Sequence, residues 1–133
     1  MSESKAQIII SGDKKFNPGS LTKIINITPD VVWLIGDKIG SSVRIRNENA
    51  WILSTEYSNN GDVAKVLEKL LDKIKPVGQV IKDYIDSEKN IEMQASIAIY
   101  ATDQVPALYF SPDLVARLSY FNASLDIDIM LIE

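Results

Sequence analysis

The sequence contains neither cysteine nor histidine. Without cysteine the chain can form no disulfide bond and no thiolate metal site, which favours an intracellular fold that rests on hydrophobic packing. Without histidine it has no Ser-His-Asp triad and no imidazole ligand for a metal ion. An enzyme built from this chain would depend on carboxylates, lysine, hydroxyl groups or tyrosine. We therefore expect a non-enzymatic protein with no catalytic residues and no cofactor.

Long apolar runs are also missing. No run approaches the ~20 residues that a membrane-spanning helix needs, and the apolar run at residues 8–10 is too short for a signal peptide. We expect no contact with a membrane and a cytoplasmic location. The 133 residues, 46% apolar and 24% charged, are typical of one globular domain, which we place at residues 1–133.

Positive charge is scarce in the second half of the chain. Residues 1–75 carry 11 Lys/Arg and 9 Asp/Glu, whereas residues 76–133 carry 3 and 9. An acidic surface repels phosphate backbones and attracts basic proteins, so we expect a basic protein partner and no nucleic acid. The alternative is that the acidity only keeps the protein soluble.

Apolar and polar residues alternate with the period of two that is typical of half-buried β-strands. The segments with this pattern are residues 6–11, 50–56, 91–101 and 124–132. Residues 105–110 are predicted to form a further strand, joined to the preceding one by a hairpin turn at residues 102–104. Residues 31–35 and 43–46 are interpreted as strands or as an irregular arm.

Helical spacing appears in four places. Residues 63–74 place apolar side chains at helical intervals, and a second apolar stripe follows Pro76 and runs to about residue 86. Asn17-Pro18 and Ser111-Pro112 each predict the start of a short helix, with a capping side chain followed by proline at the first helical position. Grouped strands with amphipathic helices predict an α+β fold: a mainly antiparallel sheet, packed by helices on one face, in two layers.

Five segments, taken in order, resemble a bacterial family of unknown function, family 4279. They are Ile-Ser-Gly-Asp at 10–13, Trp-Leu-Ile-Gly-Asp at 33–37 after Pro29, Trp-Ile-Leu-Ser at 51–54, Ser-Pro-Asp-Leu at 111–114, and Leu-Asp-Ile-Asp-Ile at 125–129. The resemblance covers nearly the whole chain and implies a shared fold, but it brings no established activity. Many small intracellular families of this kind are immunity proteins of bacterial toxin systems, and that role is implied here by analogy.

We therefore expect an immunity protein that neutralises a cognate toxin, such as a nuclease used in contact-dependent growth inhibition, by covering its basic active site. Trp33 is the candidate aromatic anchor for this partner. The candidate acidic contacts are Asp83, Asp86, Glu88 and Glu92, near a corner between a helix and a strand, together with Asp126 and Asp128.

Two alternatives remain open. Asp126 and Asp128 would share one face of the last strand, where a third carboxylate could complete a divalent metal site for a hydrolase. The simpler interpretation of this pair is the solvated face of a strand, and we expect no metal. The other alternative is a structural or dimerisation module that extends its sheet through an exposed edge, such as residues 43–46.

Overall fold

A computed structural model describes residues 2–59 and 62–132. Over these residues the chain forms five β-strands and four α-helices, and a single 3₁₀ turn at Lys75–Val77 joins two of the helices. In chain order the elements are β1 Ser2–Gly12, α1 Pro18–Ile25, β2 Val31–Trp33, β3 Asn49–Ser54, α2 Val63–Ile74, α3 Gly78–Asp86, β4 Glu92–Ala101, α4 Pro112–Tyr120 and β5 Ser124–Leu131.

The strands form one sheet in the order β2-β3-β1-β4-β5. Three of its four pairings are antiparallel, and β5 lies parallel to β4. The parallel pair follows from the connection, because a chain that leaves β4 and returns through α4 arrives at the same end of the sheet from which β4 started. The predicted α+β class with a mainly antiparallel sheet is confirmed.

All four helices pack on one face of this sheet. The buried core joins residues of every helix to one alternating set of strand side chains, which includes Ile8 and Ile10 of β1 and Ile97 and Ile99 of β4. The intervening side chains of the same strands point to the other face, which carries no helix. We call this second side the helix-free face.

The predicted helix boundaries are confirmed at their capping residues. The Asn17 side-chain oxygen accepts a hydrogen bond from the Gly19 amide at 2.9 Å, and the Ser111 hydroxyl accepts one from the Leu114 amide at 3.1 Å. Pro76 lies in the 3₁₀ turn between α2 and α3, so the predicted break at this proline is also confirmed. These side chains satisfy amides that the first helical turn leaves without intrahelical partners.

The strand predicted at residues 105–110 is wrong. This segment lies outside the sheet, between β4 and α4, and residues 102–104 are therefore no hairpin turn. β4 already has β1 on one side and β5 on the other, so it has no free edge at which a following hairpin strand could pair. Pro106 would also remove one ladder donor from such a strand.

Of the two interpretations of residues 43–46, a strand or an irregular arm, the structure shows the irregular arm. The arm folds back on residues 36–39: the Gly36 amide donates to the Arg46 carbonyl at 2.9 Å, and Lys38 and Ile45 form an isolated bridge. Val43, at its tip, is almost fully exposed. Residues 43–46 therefore do not form an edge strand of the five-stranded sheet, as the dimerisation alternative supposed.

Replacing Thr22 with valine is expected to destabilise the fold. Trp51 is fully buried, and its indole N–H donates to the Thr22 hydroxyl at 3.0 Å, which ties β3 to α1. Valine has a similar shape but no acceptor, so the indole N–H would stay buried without a partner at a cost of about 1–3 kcal/mol. Urea unfolding should show this loss in Thr22→Val and little of it in Thr22→Ser. Equal stability of the two variants would contradict the role of the hydroxyl.

Candidate functional site

Four carboxylates lie on the helix-free face of the three adjacent strands β1, β4 and β5. Asp126 and Asp128 stand beside Ser96 and Ala98 of β4, Glu3 stands opposite Tyr100, and Glu92 stands opposite Ser11. All four side chains belong to exposed residues. We call Glu3, Glu92, Asp126 and Asp128 the acidic face.

Lys5 is the one basic side chain of β1, β4 and β5 on this face within the described residues. Its ammonium lies 5.4 Å from the centre of the Tyr57 ring, and it forms no ion pair with a carboxylate of residues 2–59 and 62–132. The acidic face therefore carries an excess of negative charge on a rigid sheet, and a cationic partner would not need to displace an internal counter-ion.

Two tyrosines lie at the same side of the sheet. The rings of Tyr57 and Tyr100 are 5.3 Å apart. Tyr57 and Lys5 border a shallow cavity of about 140 Å³. Burial, a hydrogen bond with Tyr100 and the negative charges of Tyr100, Glu3 and Asp128 raise the pKa of Tyr57 to about 12. Glu3 and Asp128 are thus close enough to Tyr57 to act on it electrostatically.

The acids predicted on α3 lie elsewhere. Asp83 accepts a hydrogen bond from the side-chain amide of Gln79 at 2.8 Å, and Asp86 forms an ion pair with Lys82 at 2.9 Å. Glu88 follows the helix and faces Tyr84, where burial first and the Glu88 charge second raise the pKa of the phenol. The hydrogen bond to Asp86 likewise raises the pKa of Lys82.

The structure therefore divides the predicted acidic set between the two layers. Glu92, Asp126 and Asp128 lie on the helix-free face, whereas Asp83 and Asp86 belong to the helix layer on the opposite side of the sheet. Glu88 and Glu92 are four residues apart in the sequence. Because β4 begins at Glu92, Glu92 lies on the sheet and Glu88 does not.

Trp33 also lies on the helix-free side, opposite Ala50, but at the far edge of the sheet. The guanidinium carbon of Arg46 sits 3.4 Å from the centre of its ring, so one face of the indole is already covered by a cation–π contact. Trp33 is half-buried and four strand positions from β5. It forms a feature separate from the acidic face.

Sequence reasoning did not identify Glu3 or Tyr57, and it did not place Tyr100 on this face. The predicted first strand begins at residue 6 and does not reach Glu3, whereas β1 begins at Ser2. Tyr100 falls on the polar side of the predicted strand at residues 91–101 and could have been assigned to it. Tyr57 lies beyond the end of β3 and gives no periodic signal.

A larger groove of about 650 Å³ lies in the helix layer between α2, α3 and α4. Arg117 spans it by an ion pair with Asp72 at 2.8 Å, and the Tyr120 hydroxyl donates to the Gln79 side chain at 2.8 Å. Two of its four charged lining residues, Arg117 and Asp72, are thus paired with each other across the groove. The sequence gives no sign of it, because its walls come from segments about 45 residues apart.

The metal alternative requires a third carboxylate beside Asp126 and Asp128. Over residues 2–59 and 62–132, no group of three acidic, histidine or cysteine side chains is close enough to hold an ion. In the same part of the chain, none of the helices has the length and apolar character needed to cross a membrane.

Comparison with known families gives one match. A family described as a domain of unknown function (DUF4279) matches residues 2–131, which is nearly the whole chain. No curated protein and no solved structure shows significant similarity to the chain.

Replacing Tyr100 with phenylalanine is expected to lower the pKa of Tyr57 from about 12 toward the ordinary 10.0, because a hydrogen bond and a nearby negative charge are lost. Burial remains and should keep the value above 10.0. Since the folded pKa is raised, this tyrosine stabilises the fold below pH 10, and the contribution disappears as the pH rises through about 12. Tyrosinate absorbance during a pH titration measures the shift. Tyr109→Phe, at an exposed position, is the control, and an identical titration in both variants would contradict the coupling.

Proposed function

Because the chain belongs to the DUF4279 family of domains of unknown function, we propose its function from its surface: a non-enzymatic immunity protein of the bacterial cytoplasm. It neutralises a cognate toxin, most concretely a nuclease domain, by covering the basic active site. A nuclease cleft is cationic because it binds phosphates, and a protein with a negative face competes for that cleft.

The observation that carries this proposal is the acidic face. Its four carboxylates lie on three neighbouring strands, opposite the side on which the helices pack. The backbone of a paired sheet is held in place before binding, so little backbone conformational entropy is lost when a partner docks. The four acidic residues are also exposed, as residues of a surface that covers a cleft must be.

The tyrosine pair adds the type of residue that anchors protein interfaces. Tyr57 is partly exposed beside Tyr100, and tyrosines at the centre of an interface contribute apolar area with a polar end. Both lie close to Glu3 and Asp128. A basic partner would therefore meet aromatic contact area and negative charge at one place.

Neutralisation can be tested directly in cells. The product of the reading frame adjacent to the gene is expressed in a bacterial host with and without this chain. We expect the adjacent product to stop growth and this chain to restore it. Growth arrest that this chain does not relieve, or an adjacent product that is harmless, would contradict the proposed function.

Reversing charge on the acidic face should slow association with that partner. The variant D126K/D128K is expected to associate about tenfold more slowly at low ionic strength, with a smaller difference at high salt, because long-range attraction is screened. Surface plasmon resonance at two salt concentrations measures the rates.

The matched control is D83K/D86K, which changes the net charge by the same amount in the helix layer. It should slow association much less if the acidic face is the contact. Equal slowing in both variants would show that only the net charge matters and would contradict the assignment of the face.

A further inference from the structure

β5 is an eight-residue strand at the edge of the sheet, with β4 as its one neighbour within the described residues. Its apolar residues Leu125, Ile129 and Leu131 stand beside Ala95, Ile99 and Ala101 of β4, on the side where the helices pack. The β4 residues are almost completely buried, whereas Leu131 is 67% exposed and the other two are more than one third exposed. Ile127, between them, is half-buried and packs against the core, so the helix layer covers β5 only in part.

An apolar groove of about 360 Å³ continues from this row toward α4. Val115 and Leu118 of α4 form one wall, Leu125 of β5 forms the other, and Phe110 and Ala123 close it. Val115 is 53% exposed. The edge of β5 thus offers a strand to pair with and, beside it, an apolar groove that alternate side chains of a new strand could fill.

On the other side of the same strand lie Asp126 and Asp128. A strand added at this edge would alternate between the two sides. Every second residue would face the helix side, where the groove lies, and the residues between them would face the side of the two carboxylates. Charge complementarity then selects lysine or arginine at the intermediate positions.

We propose that the free edge of β5 binds an extended segment of the basic partner in which apolar and basic residues alternate. This mode of binding rests on the proposed function, since it takes the basic partner from it, and adds how that partner is recognised. The apolar side chains fill the groove beside α4, and the basic side chains pair with Asp126 and Asp128.

The same geometry disfavours a second copy of this chain as the occupant. In an antiparallel pair of β5 strands centred on Ile127, Asp126 of one copy would stand opposite Asp128 of the other on the same side of the sheet. Like charges directly opposite each other destabilise a strand pair. Charged residues on an edge strand commonly act in this way to prevent self-association.

The probe is a fluorescein-labelled hexapeptide with three alternating Lys-Val repeats and capped ends, measured by fluorescence anisotropy. We expect it to bind about tenfold more tightly than the same peptide with glutamate in place of lysine, and the D126K/D128K variant should reverse this preference. A peptide of the same composition with its three lysines and three valines in separate blocks should bind weakly, because it cannot alternate.

Val115→Asp separates strand addition from unspecific charge attraction. This substitution places a carboxylate in the apolar groove, so it should weaken binding of the alternating peptide. If the peptide were bound only by charge attraction, the added negative charge would strengthen its binding instead. The control is Val80→Asp on α3, at a position 43% exposed and outside the groove. Circular dichroism checks that both variants remain folded.

Three results would overturn the proposal: equal binding of the block peptide, equal effects of Val115→Asp and Val80→Asp, or a dimer in light scattering that Val115→Asp dissociates. If this chain protects cells from the adjacent gene product but any of these three results is found, the proposed function stands and the mode of binding is wrong. If the peptide behaves as expected but the cells are not protected, the edge binds a basic strand and the immunity role is wrong.

Discussion

The pairing of β1 with β4 at the centre of the sheet is the interaction on which the rest of the structure depends. Ten residue pairs join these strands, from Ser2 with Ala101 to Ser11 with Glu92. This register places Ile8 and Ile10 with Ala95 and Met93 beneath the helices. A slip by one residue would turn all these side chains onto the helix-free face and bring the polar residues between them into the core. The apolar pattern therefore fixes both the register and the side on which the helices pack.

The one-sided packing also determines which surfaces are open to a partner. Because every helix lies on the same face, most alternate residues of β1, β4 and β5 stay at least partly exposed on the other one, and four acids are among them. The charges on α3 pair with neighbouring residues of that helix instead, as Asp83 does with Gln79 and Asp86 with Lys82. The distribution of charge between the layers follows from the fold and is invisible in the total of −4.

The return of the chain through α4 has a separate consequence. It adds β5 in parallel to β4 at the edge, and the helix that makes the connection packs with Leu114 and Leu118 toward the core while Val115 stays exposed. Four helices cover the inner strands, but they leave the apolar row of β5 partly open. An apolar edge of this length is an aggregation hazard unless something protects it, and Asp126 and Asp128 oppose self-pairing from the other side of the same strand.

The amino-acid sequence by itself determined the local structure and the class of the fold. Alternation at residues 91–101 and 124–132, helical spacing at Val63–Ile74, and the cap-then-proline pairs at Asn17-Pro18 and Ser111-Pro112 are short-range signals, and each matches an element of the structure. The absence of cysteine and histidine likewise limited the chemistry before any fold was known. Pattern alone failed at residues 105–110, because a strand also needs a free neighbour and β4 had none. Only the tertiary structure decided that β5 lies parallel to β4, that Glu3 and Tyr57 join Asp128 on one face, and that Asp83 and Asp86 do not. Such groupings depend on pairings between residues far apart in the chain, and no local pattern of side chains encodes them.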